Sequence, residues 1–346
     1  MAGDVVVAPG RVSASLRSAA VVLALGAVSW AWSEVGFWSQ FRSGDSPVGW
    51  VITWLAYSVV AGLAVRLARR FPSAGLAPLV LVGAAYGWLV EGAVASTVYE
   101  QLPFSLIWTG VAWHGLLTVV LGWWAVPAAL RRGGRRALLV CAAVGAAWGA
   151  WSAGWWAAVP DEDQLPAVPS YASYGLFVLL VWAAAAAGYV VLDRLPLPSG
   201  ALRSRWGTGL CVGLVVLWAG LLIVPAIPWA PVLLAGLLAL AWSSLRRLQA
   251  HGTGVRPPAP GSWPVGVPVR RLGPSLLVPV TAFAVYAALS PLAAGAGQGV
   301  LVLALPIGVV GLSLAGTALL GWALWRAWRP APKRRPTEPA VATVEA

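Results

Sequence analysis

Apolar runs of about 20 residues recur along almost the whole chain, and they constrain the fold more than any other feature. A helix of that length crosses roughly 30 Å of hydrocarbon, and the period-two alternation of a membrane β-barrel is missing. Only 10% of the 346 residues are charged, against roughly 25% in soluble domains. The sequence predicts an all-α, polytopic integral membrane bundle of about ten transmembrane helices, at 19–38, 49–67, 75–97, 104–127, 137–158, 171–192, 208–225, 229–244, 275–293 and 300–325.

Basic residues are confined almost entirely to alternate loops. Of the 23 lysines and arginines, only Arg42 lies in the other set of loops, which also contains Asp45, Asp161, Glu162 and Asp163. Because basic loops stay on the cytoplasmic side, we predict a multi-pass protein of the cell membrane with both termini in the cytoplasm. The net charge of +12 is divided among loops beside helix ends, so we expect anionic lipid headgroups, and not nucleic acid, as its partner.

Composition predicts six segments along the chain. They are a cytoplasmic N-terminal segment (1–18), two transmembrane hairpins with most of the polar side chains (19–136), a continuation of the bundle by three to four helices (137–245), a basic Pro- and Gly-rich cytoplasmic linker (246–274), a final apolar hairpin (275–325) and a disordered cytoplasmic tail (326–346).

Three ionisable residues fall in or beside the hydrocarbon region of the first four predicted spans: Glu34, Glu91 and His114. Such residues are costly in a membrane, so a functional role is the default hypothesis. Glu91 and His114 lie equally far before and after a turn near Leu102, which gives them equal depth at 1.5 Å per residue. We therefore expect contact between them, as acid–base or proton-binding groups. The same number of residues separates Glu34 from Tyr57, nearer to the outer surface.

Aromatic and polar side chains around these residues predict a small-molecule or lipid site in the outer half of the first four spans. The candidate substrate-binding residues are Trp88, Trp113, Tyr57, Tyr99, Glu100 and Thr109. Trp faces attract cations, although an aromatic belt at the membrane interface is the structural alternative. Each ionisable residue also has a structural alternative, as a hydrated interfacial group or as a hydrogen-bonding residue that fixes helix packing.

Motifs of soluble-enzyme chemistry are missing from the sequence. There is no Walker motif, no GxSxG elbow and no Gly-rich dinucleotide turn. His251 is predicted on the side opposite to His114, and no metal-ligand spacing surrounds either histidine. We therefore expect no cofactor and no bound metal.

Three functions remain open at this level. The leading hypothesis is a secondary transporter or permease in which Glu91 and His114 bind a proton or a cationic solute. The second is an intramembrane enzyme that uses Glu91 or Glu34 as acid and His114 as base on a lipid or isoprenoid. The third is a structural or assembly subunit in which the Glu–His pair only specifies packing. The substrate and the oligomeric state do not follow from the sequence.

Overall fold

The computed structural model describes residues 11–42, 44–72, 75–158, 169–195, 205–250, 265–293 and 298–330. Within these ranges the chain is 87% helical and has no strands, and nine helices are long and apolar enough to cross a membrane. The protein is thus an all-helical, multi-pass membrane-type chain. Several predicted features lie outside the described residues: the start of the N-terminal segment (1–10), the acidic loop (161–163), most of the linker (251–264) and most of the tail (331–346).

The described helices are numbered in chain order. They are α1 (11–38), α2 (Pro47–Arg70), α3 (Leu76–Val94), α4 (Leu106–Arg132), α5 (Gly134–Ala158), α6 (Tyr171–Arg194), α7 (Arg205–Leu222), α8 (Ala230–Ala250), α9 (Gly273–Ala293) and α10 (Gln298–Trp328). The seventh, with 18 residues, is the shortest in the described chain, and it is the predicted span that is not among the nine. The third helix ends at Val94, earlier than predicted, so the polar stretch from Thr97 belongs to the α3–α4 turn.

Local signals explain where the first helices stop and start. Ser39 and Ser96 both adopt the left-handed conformation, with φ of 59° and 65°, just after α1 and α3. Ser46 then caps α2, because its hydroxyl oxygen accepts a hydrogen bond from the Gly49 amide at 3.0 Å and Pro47 is the first helical residue. The α1–α2 and α3–α4 turns lie at the same end of the bundle, called the site end below.

The third helix lies at the centre of the bundle. It packs against α2, α4, α8 and α10, and almost all of its residues are buried. Glycines set its approach to α4: a Cβ on Gly87 would stand 1.7 Å from the Gly110 carbonyl oxygen, and one on Gly83 would stand 2.8 Å from the Gly115 carbonyl oxygen. Because residues four apart share a helix face, this contact also turns Glu91 toward α4.

The last two helices share one neighbour, α5, and also touch each other. The ninth packs on α6 as well, whereas the tenth packs on α3, α4 and α8. The tenth helix therefore covers part of the α3–α4 pair that carries Glu91 and His114.

Candidate functional site

Glu91 and His114 form a buried pair at the α3–α4 contact. His114 Nε2 is hydrogen-bonded to Glu91 Oε1, and the two residues are only 5% and 4% exposed. The hydroxyl of Thr97, in the turn after α3, donates to Glu91 Oε2. The Thr109 hydroxyl, which donates to the Ser105 carbonyl at 3.1 Å, lies beside the same carboxyl group. The contact predicted from equal depth is present, and Thr109 is part of its surroundings.

Wide helical turns carry all three predicted ionisable residues. Glu34 lies in the π-helical segment Ala31–Val35, Glu91 in Val90–Val94, and His114 in Leu106–Ala125. The turns are closed by bonds that span five residues, from the Gly36 amide to Ala31 and from the Ala95 amide to Val90. π-Helical turns are rare and occur often at functional sites.

Aromatic donors satisfy the carbonyl groups near these wide turns. The Trp113 indole donates to the Ser33 carbonyl at 2.9 Å, and the Tyr99 hydroxyl donates to the Gly92 carbonyl at 2.8 Å. Burial raises the pKa of the Tyr99 phenol above its ordinary value, so it remains a donor at neutral pH. An unsatisfied carbonyl at membrane depth costs several kcal/mol. Trp113 and Tyr99, predicted as substrate-binding residues, thus bind the protein's own backbone.

A second polar group surrounds Glu34 at the site end. One carboxylate oxygen accepts from the Tyr57 hydroxyl at 3.0 Å, and the other accepts from the Trp38 indole at 3.0 Å. A guanidinium nitrogen of Arg42 lies 3.8 Å from the latter oxygen and 2.8 Å from Asp45. The Glu34 side chain is 28% exposed. This group is therefore the part of the site nearest to the surroundings of the protein.

Tyr57 lies between the two acids. Its hydroxyl binds Glu34, and its ring centroid lies 6.2 Å from that of His114. Tyr86 lies at the same centroid distance from His114, and its hydroxyl contacts the Ser33 hydroxyl at 3.3 Å. The buried imidazole therefore lies near two phenol rings as well as the Glu91 carboxyl group.

The second imidazole nitrogen of His114 has no hydrogen-bond partner in the described part of the chain. Nδ1 is one of five buried side-chain nitrogens that lack a hydrogen-bond partner among the described residues. Buried polar atoms in proteins are nearly always hydrogen-bonded, to the protein or to water. Among side-chain nitrogens, only that of an imidazole readily accepts and releases a proton under physiological conditions. Nδ1 is therefore the atom of the Glu91–His114 pair at which a proton can be taken up.

Two predicted binding residues lie away from the Glu–His pair. Trp88 is buried and its indole donates to the Leu106 carbonyl at 3.0 Å, which joins α3 to the start of α4. Glu100 is exposed on the α3–α4 turn. At the site end, the Trp38 face is occupied by a cation of the protein itself, since the Arg42 guanidinium is 4.5 Å from the centroid of the Trp38 ring.

Sequence reasoning missed four contributors to the site. Arg42 and Asp45 form an ion pair beside Glu34. The sequence does contain a signal for this pair, because Arg42 is the one basic residue in the set of loops that is otherwise acidic. Tyr86 and Ser33 lack such a signal, because a hydroxyl in an apolar helix is common. Within the described ranges, no three His, Cys, Asp or Glu side chains are grouped so that they could hold a metal ion.

No protein-family model, no curated protein and no solved structure matches this chain.

Proposed function

We propose that the protein is a secondary transporter that moves protons down their gradient, and that Glu91 and His114 form its proton-binding site. The observation that carries this proposal is the hydrogen bond between the imidazole of His114 and the carboxyl group of Glu91, two titratable side chains that are both buried in the helical bundle. Ionisable side chains at such a position are costly, and they often mark proton pathways in membrane proteins.

The proton balance of the pair is simple. With Glu91 ionised, the Nε2–H of neutral His114 donates to it and Nδ1 presents a lone pair. A proton that binds Nδ1 makes an imidazolium, which the adjacent carboxylate stabilises by charge pairing. Its release restores the neutral ring. The pair thus binds and releases one proton without a change in its own hydrogen bond.

The geometry favours a proton over a metal cation as the bound ion. Both oxygens of Glu91 already have hydrogen-bond donors, from His114 and Thr97. A Na⁺ or Ca²⁺ ion would need several oxygen ligands in place of these donors. Protonation needs no such rearrangement.

Infrared difference spectroscopy on protein in lipid bilayers tests proton binding at the pair. The wild type should gain and lose imidazolium bands reversibly between about pH 5 and pH 8, the range in which histidine titrates, with a shift of the carboxylate band of Glu91. Glu91→Gln and His114→Gln should remove this signal, while the control Tyr174→Phe should keep it. Tyr174 suits this purpose because its hydroxyl lies in a separate contact, 3.0 Å from Ser152.

Proton uptake into vesicles tests transport. Proteoliposomes with an imposed pH gradient, a trapped pH-sensitive dye and valinomycin should acidify faster with the wild type than without protein. Glu91→Gln should reduce the rate to that of protein-free vesicles. If wild-type vesicles behave like protein-free ones, or if Glu91→Gln transports like the wild type, the proposal is wrong.

A further inference from the structure

We infer that Glu34 and Tyr57 form a second proton-binding station, in a duplicate of the hairpin that holds Glu91 and His114, and that Tyr57 passes protons between the two stations. This inference rests on the proposed function, because it names the route by which protons reach the buried pair. It is carried by four correspondences between α1–α2 and α3–α4.

The first two correspondences are the acids and their partners. The Tyr57 hydroxyl binds Glu34 across a separation of 23 residues, and His114 binds Glu91 across the same separation of 23 residues. In each case an acid near the end of the first helix meets a proton-carrying side chain of the next helix. Each acid also lies in a π-helical turn.

The third correspondence is the point where the paired helices touch. A Cβ on Gly26 would stand 1.8 Å from the Ser58 hydroxyl oxygen, and a Cβ on Gly83 would stand 2.8 Å from the Gly115 carbonyl oxygen. Gly26 and Gly83 each precede their acid by the same number of residues, and Ser58 and Gly115 directly follow Tyr57 and His114. The two hairpins therefore cross at the same register.

The fourth correspondence is the backbone after each acid. Ser39 and Ser96 lie five residues after Glu34 and Glu91, and they are the only non-glycine residues with positive φ in the described ranges. Left-handed serine is uncommon. A left-handed serine at the same position of both hairpins indicates that the two hairpins share one backbone conformation, although few of their side chains are identical.

The third hairpin lacks this arrangement. Ala153 stands where the matching stretch of α1 has Glu34. Gly145 precedes Ala153 by the same number of residues as Gly26 precedes Glu34. It packs against α9 and not against the partner helix of its own hairpin, since a Cβ there would stand 2.2 Å from the Val278 carbonyl oxygen. The acid-bearing design is therefore confined, within the described chain, to the first two hairpins.

The two stations differ in exposure, and this gives the route a direction. Glu34 is partly exposed and Glu91 is buried, with Tyr57 between them. The charged and titratable groups that face Glu34 are Arg42, Asp45 and Tyr57; those that face His114 are Glu91, Tyr57 and Tyr86. A proton on Glu34 passes to the Tyr57 oxygen while the Tyr57 hydroxyl proton passes to a water molecule, which in the same step gives one of its own protons to His114 Nδ1; the water bridges the gap because no protein group hydrogen-bonds to Nδ1 in the described residues. Tyr57 ends the step neutral, Glu34 becomes ionised, and His114 becomes an imidazolium.

Substitutions at Tyr57 give the sharpest test, in the vesicle assay of proton uptake. Tyr57→Phe keeps the ring and removes the hydroxyl, so uptake should fall by about 100-fold, the usual effect of losing a proton-transfer group. Tyr57→His gives the first hairpin the partner of the second and should restore uptake. The control Tyr174→Phe removes a buried hydroxyl elsewhere and should leave uptake unchanged. Glu34→Gln should match Tyr57→Phe, and it serves alone if the latter does not fold.

The outcomes separate the two proposals. If the wild type takes up protons, Glu91→Gln abolishes uptake, and Tyr57→Phe and Glu34→Gln remain at the wild-type rate, the second station is wrong and the proton-binding pair stands. If the wild type itself takes up no protons, both are wrong. Loss of uptake in Tyr57→Phe without recovery in Tyr57→His also contradicts the relay, because a purely structural hydroxyl would give that result.

Discussion

Gly87 and Gly110 bring α3 and α4 so close together that a Cβ on Gly87 would stand 1.7 Å from the Gly110 carbonyl oxygen. Gly87 lies one helical turn before Glu91, and Gly110 lies one turn before His114. The backbone contact and the Glu91–His114 bond therefore belong to the same interface. The position of the acid–base pair depends on the absence of a side chain at Gly87.

Gly87→Ala should move the two helices apart. We expect a loss of about 1–3 kcal/mol in the free energy of unfolding, as for other overpacked interfaces, together with loss of the pH-dependent infrared signal. Gly236→Ala on α8 is the matched control, because nothing lies within 4 Å of a Cβ there. It should be neutral or stabilising, by about 0.4–1 kcal/mol. Unfolding in detergent would measure both, and equal stabilities of the two variants would contradict the packing described.

A double-mutant cycle tests the coupling of Glu91 and His114. Either Glu91→Leu or His114→Leu alone leaves a buried polar partner without its hydrogen bond, and should cost about 3–5 kcal/mol. The double variant should cost clearly less than the sum, because both polar groups are then gone. Additive losses would mean that the two side chains do not interact in the folded protein.

Trp113→Phe tests the role of the indole as a backbone donor. The change keeps an aromatic ring but leaves the Ser33 carbonyl without its donor, so it should cost about 1–3 kcal/mol. Trp124→Phe on the same helix is the control, since Trp124 is 40% exposed. Its effect should stay within about 0.5 kcal/mol. If Trp113→Phe is as mild as the control, the hydrogen bond does not stabilise the π-helical turn.

Chemical labelling tests which member of the pair takes up the proton. An apolar carbodiimide reacts only with a protonated acid, and Glu91 stays ionised when His114 binds the proton. In a Glu34→Gln background the modification of Glu91 should therefore stay near that of a Glu91→Gln protein between about pH 5 and pH 8, and it should increase in His114→Gln, because a buried acid without its basic partner is more easily protonated. Mass spectrometry of the peptide that contains Glu91 would measure it, and strong labelling with His114 present would mean that the acid, and not the imidazole, takes up the proton.

The sequence was sufficient to predict the Glu91–His114 contact. Two consecutive antiparallel helices place residues equally far from their turn at equal depth, and Glu91 and His114 satisfy this condition. The same argument applies to Glu34 and Tyr57, which are also in contact. The interior use of Trp113 and Tyr99 could not be predicted in this way, because it depends on carbonyl groups near π-helical turns.

The sequence by itself determined that this chain is helical and that many of its helices are long and apolar enough to cross a membrane. Transfer into hydrocarbon is favourable for each apolar residue in turn, so long apolar runs specify spans whatever their neighbours. Only the tertiary structure decided which face of each helix looks inward. That choice depends on close contacts between helices far apart in sequence or across a turn, such as Gly83 on Gly115 and Arg42 beside Glu34. A hydropathy profile contains no information about rotation around a helix axis when nearly every residue is apolar, and the few glycines and polar donors therefore set it.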